Sequence, residues 1–226
     1  MKTKTIRSSI LCLVVLLLLA PLLRAQDLSK YRQFTIGMNL SRALERTDQK
    51  MTQVRVIHDR PALIQELPWW PPNLAGASLQ ADSVEQILLS FYNRELYKIS
   101  VTYDQTSTEG LTAEDMVKSI SEKYGPATNI MLETDFTKNN AYDVRQRPIA
   151  TWEDTQYSFN LVRSSFTDRF RLIIYSKRVN AAAELAIVDA VKLEQQEAPK
   201  REAERQKKQL DDLETARQKN RKIFHP

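Results

Sequence analysis

The sequence predicts an α+β fold: two repeats, each a helix followed by an antiparallel meander, form a curved sheet with helices on one side, followed by a C-terminal helical tail. Three observations predict it. Helix starts of the same pattern recur 73 residues apart, at Gly37–Leu44 and Gly110–Val117. Pairs of alternating strands recur at the same offset. From Asn180 onwards the composition is that of a strong helix former.

The N-terminal residues predict a secretory signal peptide. Three cations precede an apolar run from Ile10 to Leu23, and Ala25 supplies a small residue before a cleavage point. The run is fourteen residues long, shorter than the ~20 of a membrane-spanning helix, although retention as an anchor remains the alternative. We therefore expect export to the periplasm or the extracellular space. Cleavage would remove Cys12, the only cysteine, and leave no disulfide or thiolate.

The charge distribution argues against a nucleic-acid partner. Between Asp27 and Arg178, 19 Lys+Arg balance 19 Asp+Glu, whereas nucleic-acid binding needs a basic face. The predicted domains are the signal peptide (1–25), the repeat domain (26–178, with repeats at about 34–106 and 107–178) and a helical, charged, partly disordered tail (179–226).

The first repeat is predicted to begin with a helix and to continue as four strands. Asn39 caps the helix, Leu40, Ala43 and Leu44 face inward, and the helix ends near Asp48 without a glycine. Alternating apolar residues predict strands at Val54–His58, Ala62–Leu67, Ile87–Phe91 and Tyr97–Tyr103, the last two joined by a turn at Asn93-Arg94.

The second repeat follows the same order. Thr112 caps its helix with Asp115 three residues on, and Gly125-Pro126 stops it. The predicted strands are Asn129–Glu133, Ile149–Glu153, Tyr157–Leu161 and Phe170–Ile174. Two arrangements remain open: the repeats bury their apolar faces together, or they extend one another into a continuous sheet. A third interpretation is an unrelated α+β layout in which the similar helix starts arose independently.

The helix starts resemble a known family. G-L-T-A-E-D-M-V with K-Y-G-P, and less completely G-M-N-L-S-R-A-L, are similar to the repeat openings of secreted tandem-repeat proteins of the small outer-membrane lipoprotein and β-lactamase-inhibitor-protein type. The resemblance covers roughly Phe34 to Ser176 and implies a non-enzymatic module that binds through the exposed side of its sheet. The chain departs from it by lacking a lipid-attachment cysteine after the apolar run and by carrying a tail. No residue carries over as a functional one.

Residue types suited to catalysis are scarce. The histidines are His58 and His225, and the pair His58-Asp59 lacks the further histidines that a metal shell of that kind needs. Four glycines and no Gly-x-Ser-x-Gly leave neither a phosphate loop nor a nucleophile elbow. We predict a protein-binding or scaffolding module of the cell envelope, with no catalytic residue, metal or cofactor. A small-molecule or lipid carrier, and an envelope hydrolase built around His58, remain as alternatives.

The stretch Q-E-L-P-W-W-P-P sets two tryptophans between prolines. The prolines stiffen the segment, which lowers the entropy lost on docking, and tryptophan is enriched in interface hot spots. Adjacent side chains of an extended segment point to opposite sides, so one ring is expected to be buried and one partly exposed. A purely structural role, as a lid over one end of the sheet, is the alternative. The predicted binding residues are His58, Trp69, Trp70, Pro71 and Pro72.

The tail predicts a charged helical arm. Its apolar stripe is expected at Leu185, Val188 and Val191 or Lys192. Pro199 is expected to interrupt the helix. From Lys200 to Pro226 there are nine Lys+Arg against five Asp+Glu, which predicts weak contact with a membrane surface, a cell-wall polymer or a protein partner. The alternative is a solvated, fraying helix or a disordered tail.

Overall fold

The protein is described by a computed structural model that covers residues 27–72, 83–131, 146–164, 167, 169–223 and 225. The predicted signal peptide lies outside the described residues. The fold is α+β, as the sequence predicts, with a large antiparallel sheet and a long C-terminal helix. None of the helices in the described ranges is both long enough and apolar enough to cross a membrane.

The helices and strands follow one another along the chain in a fixed order. They are β1 (Lys30–Tyr31), β2 (Phe34–Thr35), α1 (Leu40–Thr47), a 3₁₀ turn (Met51–Gln53), β3 (Arg55–His58), β4 (Ile64–Trp69), β5 (Val84–Tyr92), β6 (Glu95–Tyr103), α2 (Gln105–Thr108), α3 (Ala113–Tyr124), β7 (Asn129–Ile130), β8 (Gln146–Glu153), β9 (Tyr157–Ser164), β10 (Phe170–Ser176) and α4 (Lys177–Ile223).

Eight strands form one antiparallel sheet in the order β3-β4-β5-β6-β10-β9-β8-β7, and β1 pairs with β2 separately. Each half of the large sheet is a four-strand meander that follows one helix, α1 or α3. The halves meet in the centre, where β6 pairs with β10. Of the two arrangements left open by the sequence, the structure has the continuous sheet.

Both predicted helix starts are confirmed. The Asn39 side chain accepts a hydrogen bond from the backbone N–H of Arg42 at 2.9 Å, and Thr112 and Asp115 form a reciprocal capping box. The helices end differently. Gly125 closes α3 at φ 78°, whereas Asp48, at φ 51°, takes the left-handed position that glycine commonly fills.

Helices α1 and α3 cover one face of the sheet, which we call the inner face. Leu40 and Ala43 of α1 and Met116 and Ile120 of α3 join one buried cluster with both halves of the sheet. The largest fully buried side chains of this cluster are Trp152, Phe34, Phe91, Phe159, Leu67, Ile87, Leu89, Leu96, Ile99, Leu161, Leu172 and Ile174. These strand residues alternate along the sequence, so their neighbours in the strands point to the opposite, outer face.

Helix α4 continues through Pro199, and the interruption predicted there is wrong. The helix runs from Lys177 to Ile223 without a break. Glu197 lies 2.6 Å from Arg201 on the far side of the proline and 2.9 Å from Arg60 of the sheet domain. These ion pairs hold the turns on both sides of Pro199, where one backbone hydrogen bond is lost.

The first half of α4 packs on the outer face through small residues. Ala183, Ala186 and Ala190 are buried, and Ala183 belongs to a cluster with Ile64 and Tyr97. The predicted apolar stripe therefore faces solvent instead of the domain: the exposed fractions are 69% for Leu185, 50% for Val188 and 40% for Val191. Alanine has no side chain beyond Cβ, so it lets the helix axis approach the sheet more closely than leucine would.

Candidate protein-binding surface

The two tryptophans take opposite environments at the end of β4, as the extended segment predicts. Trp69 is half-buried and packs against the inner-face cluster, with its ring centroid 5.5 Å from that of Phe34 in a T-shaped arrangement. Trp70 is 54% exposed. The preceding backbone is fixed because the Gln49 side-chain amide donates to the carbonyl of Pro68 at 3.0 Å. The exposed indole thus stands on a rigid base.

The other predicted binding residues are not all beside Trp70. Pro71 is buried and Pro72 is exposed, so these two stay with the tryptophans. His58 pairs with Ile64 at the other end of β4, about 20 Å from Trp70 at ~3.4 Å per residue. Its side chain is only 11% exposed, and its Nδ1 lies 3.0 Å from Glu194 Oε1 of α4. His58 therefore belongs to the region that α4 covers.

The outer face carries residues in rows that cross the sheet, because opposite residues of paired strands lie side by side. One row crosses six strands through the pairs of Pro68 with Leu88, Leu88 with Ser100, Ser100 with Ile173, Ile173 with Asn160, and Asn160 with Thr151. The next row is Gln86, Thr102, Arg171 and Val162.

We call these two rows the open strip. It spans six strands, about 24 Å at ~4.8 Å per strand. Continuing the register of β4 and β5 by one residue places Trp70 beside Gln86, at one corner of the strip. None of the strip residues belongs to the apolar cluster that α4 forms with the sheet. Pro68, Ser100 and Val162 are buried, and the other strip residues are half-buried. The strip and the exposed indole therefore lie on the same side of the molecule.

The chemistry of the open strip is almost free of charge. Arg171 is its one ionic side chain, among hydroxyl, amide and aliphatic groups. Protein interfaces are similarly poor in Lys, Asp and Glu and rich in aromatic residues and Arg. Part of the strip is also preorganised: Thr151 Oγ1 donates to Asn160 Oδ1 at 3.1 Å, and Asn160 Nδ2 donates to Ser158 Oγ at 3.0 Å.

A contrasting row lies closer to α4. It joins Glu66, Ser90, Lys98 and Tyr175 on four adjacent strands, beside Tyr97, which is 2% exposed. Burial raises the pKa of Tyr97 to about 12, and the carboxylates of Glu66 and of Glu184 on α4 add to the shift. Burial also lowers the pKa of Lys98. The ionisable part of the outer face is thus the part next to the helix.

The surroundings of His58 bear on the alternative of an envelope hydrolase. His58 does contact a carboxylate, as a hydrolase would require, but Arg60 and Glu197 form a second pair beside it, 2.9 Å apart. The two contacts together fasten α4 to the end of β3. Across the described ranges, no group of three or more His, Cys, Asp or Glu could hold a metal ion.

A hollow of about 490 Å³ lies between the residues that precede α3 and the β9–β10 hairpin. A lipid carrier would need an apolar lining, and here Leu111 and Phe170 are outnumbered by polar neighbours. The lining residues are Gln105, Thr106, Thr108, Glu109, Gly110, Leu111, Arg163 and Phe170.

No family model matches the chain, and neither a curated protein nor a solved structure is detectably similar to it. The family resemblance of the helix starts therefore stays a prediction. Sequence reasoning identified Trp70 but missed the open strip beside it. The sequence signal for the strip is that Ser100 and Thr102 alternate with the apolar residues of β6. This signal is not sufficient, because the neighbouring part of the strip depends on the pairing of β6 with β10.

Proposed function

We propose that the protein is a non-enzymatic binding module of the cell envelope and that it contacts a protein partner through the open strip and Trp70. The observation that carries this proposal is the 54% exposed indole standing beside a half-buried, partly preorganised sheet surface whose one charge is Arg171. A tryptophan that acts as an interface hot spot is worth about 2 kcal/mol or more when it is buried by the partner. Export rests on the N-terminal sequence alone.

The preorganisation of the surface supports binding more than catalysis. Association costs entropy whenever loops and side chains must become ordered, and here strands and side-chain hydrogen bonds already hold Asn160 and Thr151. The strip offers no histidine or carboxylate to move a proton. A partner protein that covers the strip would bury mainly aliphatic and hydroxyl groups, with Arg171 as the one charge.

We propose in addition that the two halves of the domain derive from one duplicated unit. Ser100 pairs with Ile173, which is also the residue 73 positions further on. One residue to either side, Ile99 pairs with Ile174 and Val101 with Leu172. The pairing of β6 with β10 is therefore centred on two residues that are separated by the same 73 positions as the two helix starts. This supports a twofold relation between the halves and agrees with the resemblance to tandem-repeat binding proteins.

Site-specific photo-crosslinking in the envelope tests the binding surface. A photoreactive phenylalanine derivative replaces Leu88 or Ile173 of the open strip. As a control, the same derivative replaces Ile130, which is 56% exposed at the opposite edge of the sheet. We expect both strip positions to give the same covalent adduct. Its mass should differ from that of two copies of this chain, as expected when the partner is another protein. Position 130 should give none.

Two surface variants then separate contact from folding. Trp70→Ala removes the exposed ring, and Thr102→Lys places a charge in the strip; both are expected to reduce the adduct at least tenfold. Ile130→Ala is the matched control and should leave it unchanged. Equal adducts from all three positions, or an adduct insensitive to Trp70→Ala in a folded protein, would contradict the proposed surface.

A further inference from the structure

Helix α4 carries an apolar stripe that the sheet domain does not use. Leu185, Val188, Leu210 and Leu213 are 69%, 50%, 67% and 66% exposed. At 100° per residue they lie within about 80° of one another. The alanines packed on the sheet lie on the opposite side of the helix. The two apolar pairs lie on one face of a single helix only because α4 does not break at Pro199.

The second half of α4 lacks a packed face of its own. Every described residue from 198 to 223 is exposed, a length of about 39 Å at ~1.5 Å per residue. Helices in proteins gain most of their stability from packing one face, not from propensity. A helix of this length with leucines on its surface therefore suits a partner helix.

The spacing of the stripe selects one partner and one orientation. We propose that α4 pairs antiparallel with α4 of a second copy of this chain, with the two helices crossing at Pro199. In that register Leu185 faces the partner's Leu213 and Val188 faces the partner's Leu210. In each pair the two residues are equally far from position 199 along the helix. Each copy therefore makes the same contacts with the other, as a twofold dimer requires.

The positions between the apolar pairs fix the register. Lys192 would face the partner's Gln206, and Gln195 would face the partner's Ala203. Polar residues inside a helical seam reduce stability but disfavour other registers and orientations. A parallel pair aligned in register would place Lys192 against the partner's Lys192. That contact between like charges favours the antiparallel arrangement.

Charge complementarity supports the same orientation. Asp189 and Lys207 flank the stripe on the same edge of the helix, and antiparallel helices bring equal edges together. Asp189 would therefore lie beside the partner's Lys207, twice per dimer. Asp189 also lies 3.4 Å from Lys192 of its own helix. Its carboxylate would therefore lie beside one lysine from each helix.

The sheet domains leave room for this pairing. The partner helix would pack on the side of α4 that faces away from the sheet. The sheet contacts the opposite side of α4, where Ala183 is buried. The second half of each α4 would cover the exposed stripe of the other copy. The partner helix would not contact the open strip, so this dimer does not depend on the proposed binding function.

Sedimentation equilibrium of the chain purified after export tests the pairing. We expect a dimer at micromolar concentration for the wild type. Leu210→Lys with Leu213→Lys should raise the dissociation constant at least tenfold and give a monomer. Ile223→Lys is the matched control, because Ile223 is 65% exposed on the same helix but outside the stripe. It should leave the dimer intact.

Cysteine crosslinking tests the orientation. In a Cys12→Ser chain, Val188→Cys with Leu210→Cys should form intermolecular disulfides, because both Cα atoms of a disulfide lie within about 7 Å. Each single cysteine should form none, since residues 188 of the two copies would be about 33 Å apart. Lys207→Asp should weaken the dimer, and adding Asp189→Lys should restore it.

Three results would overturn the pairing. A wild-type monomer at all concentrations is the first, including a monomer that binds anionic lipid vesicles through Leu210 and Leu213. Efficient crosslinking of the single cysteines, which indicates parallel helices, is the second. A dimer that survives Leu210→Lys with Leu213→Lys, with the helix retained by circular dichroism, is the third.

Discussion

The inner face of the sheet is covered by two short helices through side chains such as Leu40, Met116 and Ile120, whereas part of the outer face is covered by alanines from one long helix. On the inner face, Trp152 and Phe159 are fully buried among residues of both halves. On the outer face, the buried cluster around Ala183 takes in only Ile64 and Tyr97 at its centre. Apolar burial scales with area, so the inner face carries most of the stability and the outer face is left for contacts.

The means of attachment differ in the same way. Helix α3 is fixed by its cap and by Met116, Ile120 and Tyr124 in the core. Helix α4 is fixed by alanines, by the contact of His58 with Glu194 and by the ion pair of Arg60 with Glu197. Ion pairs that remain near solvent contribute little. Changes on the two faces should therefore have effects of very different size.

The largest effect is expected on the inner face. Trp152→Ala removes a fully buried indole and leaves the carbonyl of Gly125, which now accepts its N–H at 2.9 Å, without that donor. We expect the free energy of unfolding to fall by about 3–5 kcal/mol. Chemical denaturation measures it. Trp70→Ala is the matched control and should change the same quantity by less than about 0.5 kcal/mol. Similar losses for both would end the distinction between the faces.

A smaller effect is expected where α4 meets the sheet. Ala183→Leu forces extra volume between the helix and Tyr97, and overpacking of this kind costs about 1–3 kcal/mol. Ala181→Leu adds the same side chain at an exposed position of the same helix and should be nearly neutral. Denaturation of the two variants, followed by circular dichroism, makes the comparison. Equal stability would mean that α4 rests on the sheet without close packing.

The inner face was largely predictable from the sequence because its signals are local. Asn39 and Thr112 satisfy backbone donors within three residues of themselves, and the alternation around Ile99 places one face of a strand in the core. Asn93 and Arg94 both have positive φ, as the turn predicted between two strands requires. Each of these features depends on a few neighbouring residues.

The outer face was not predictable in the same way, because its contacts join distant parts of the chain. Hydrophobicity favoured Leu185 and Val188 as the packed stripe, but close approach to the sheet selected Ala183 and its neighbours instead. Glu194 reaches His58 across 136 residues, a pairing that no local pattern encodes. The open strip likewise exists only because β6 lies beside β10.

The smallest effect is expected from the ionisation of two buried tyrosines, one on each face. Their ionisation allows the faces to be compared and leaves both unchanged at neutral pH. Burial raises the pKa of Tyr97 on the outer face and of Tyr124 on the inner face to about 12. The neutral phenol is favoured in the fold, so each contribution to stability is complete below the unfolded value of ~10 and is lost as the pH rises towards 12.

Only Tyr97 owes part of its shift to α4, because Glu184 of that helix raises its pKa further. Glu184→Gln should therefore lower the titration midpoint of Tyr97 and leave that of Tyr124 unchanged. Ultraviolet absorbance of the phenolate measures both, with Tyr97→Phe and Tyr124→Phe spectra to assign them. Movement of both midpoints would mean that the two faces are coupled electrostatically. A constant Tyr97 midpoint would mean that in solution α4 does not hold Glu184 close to the sheet.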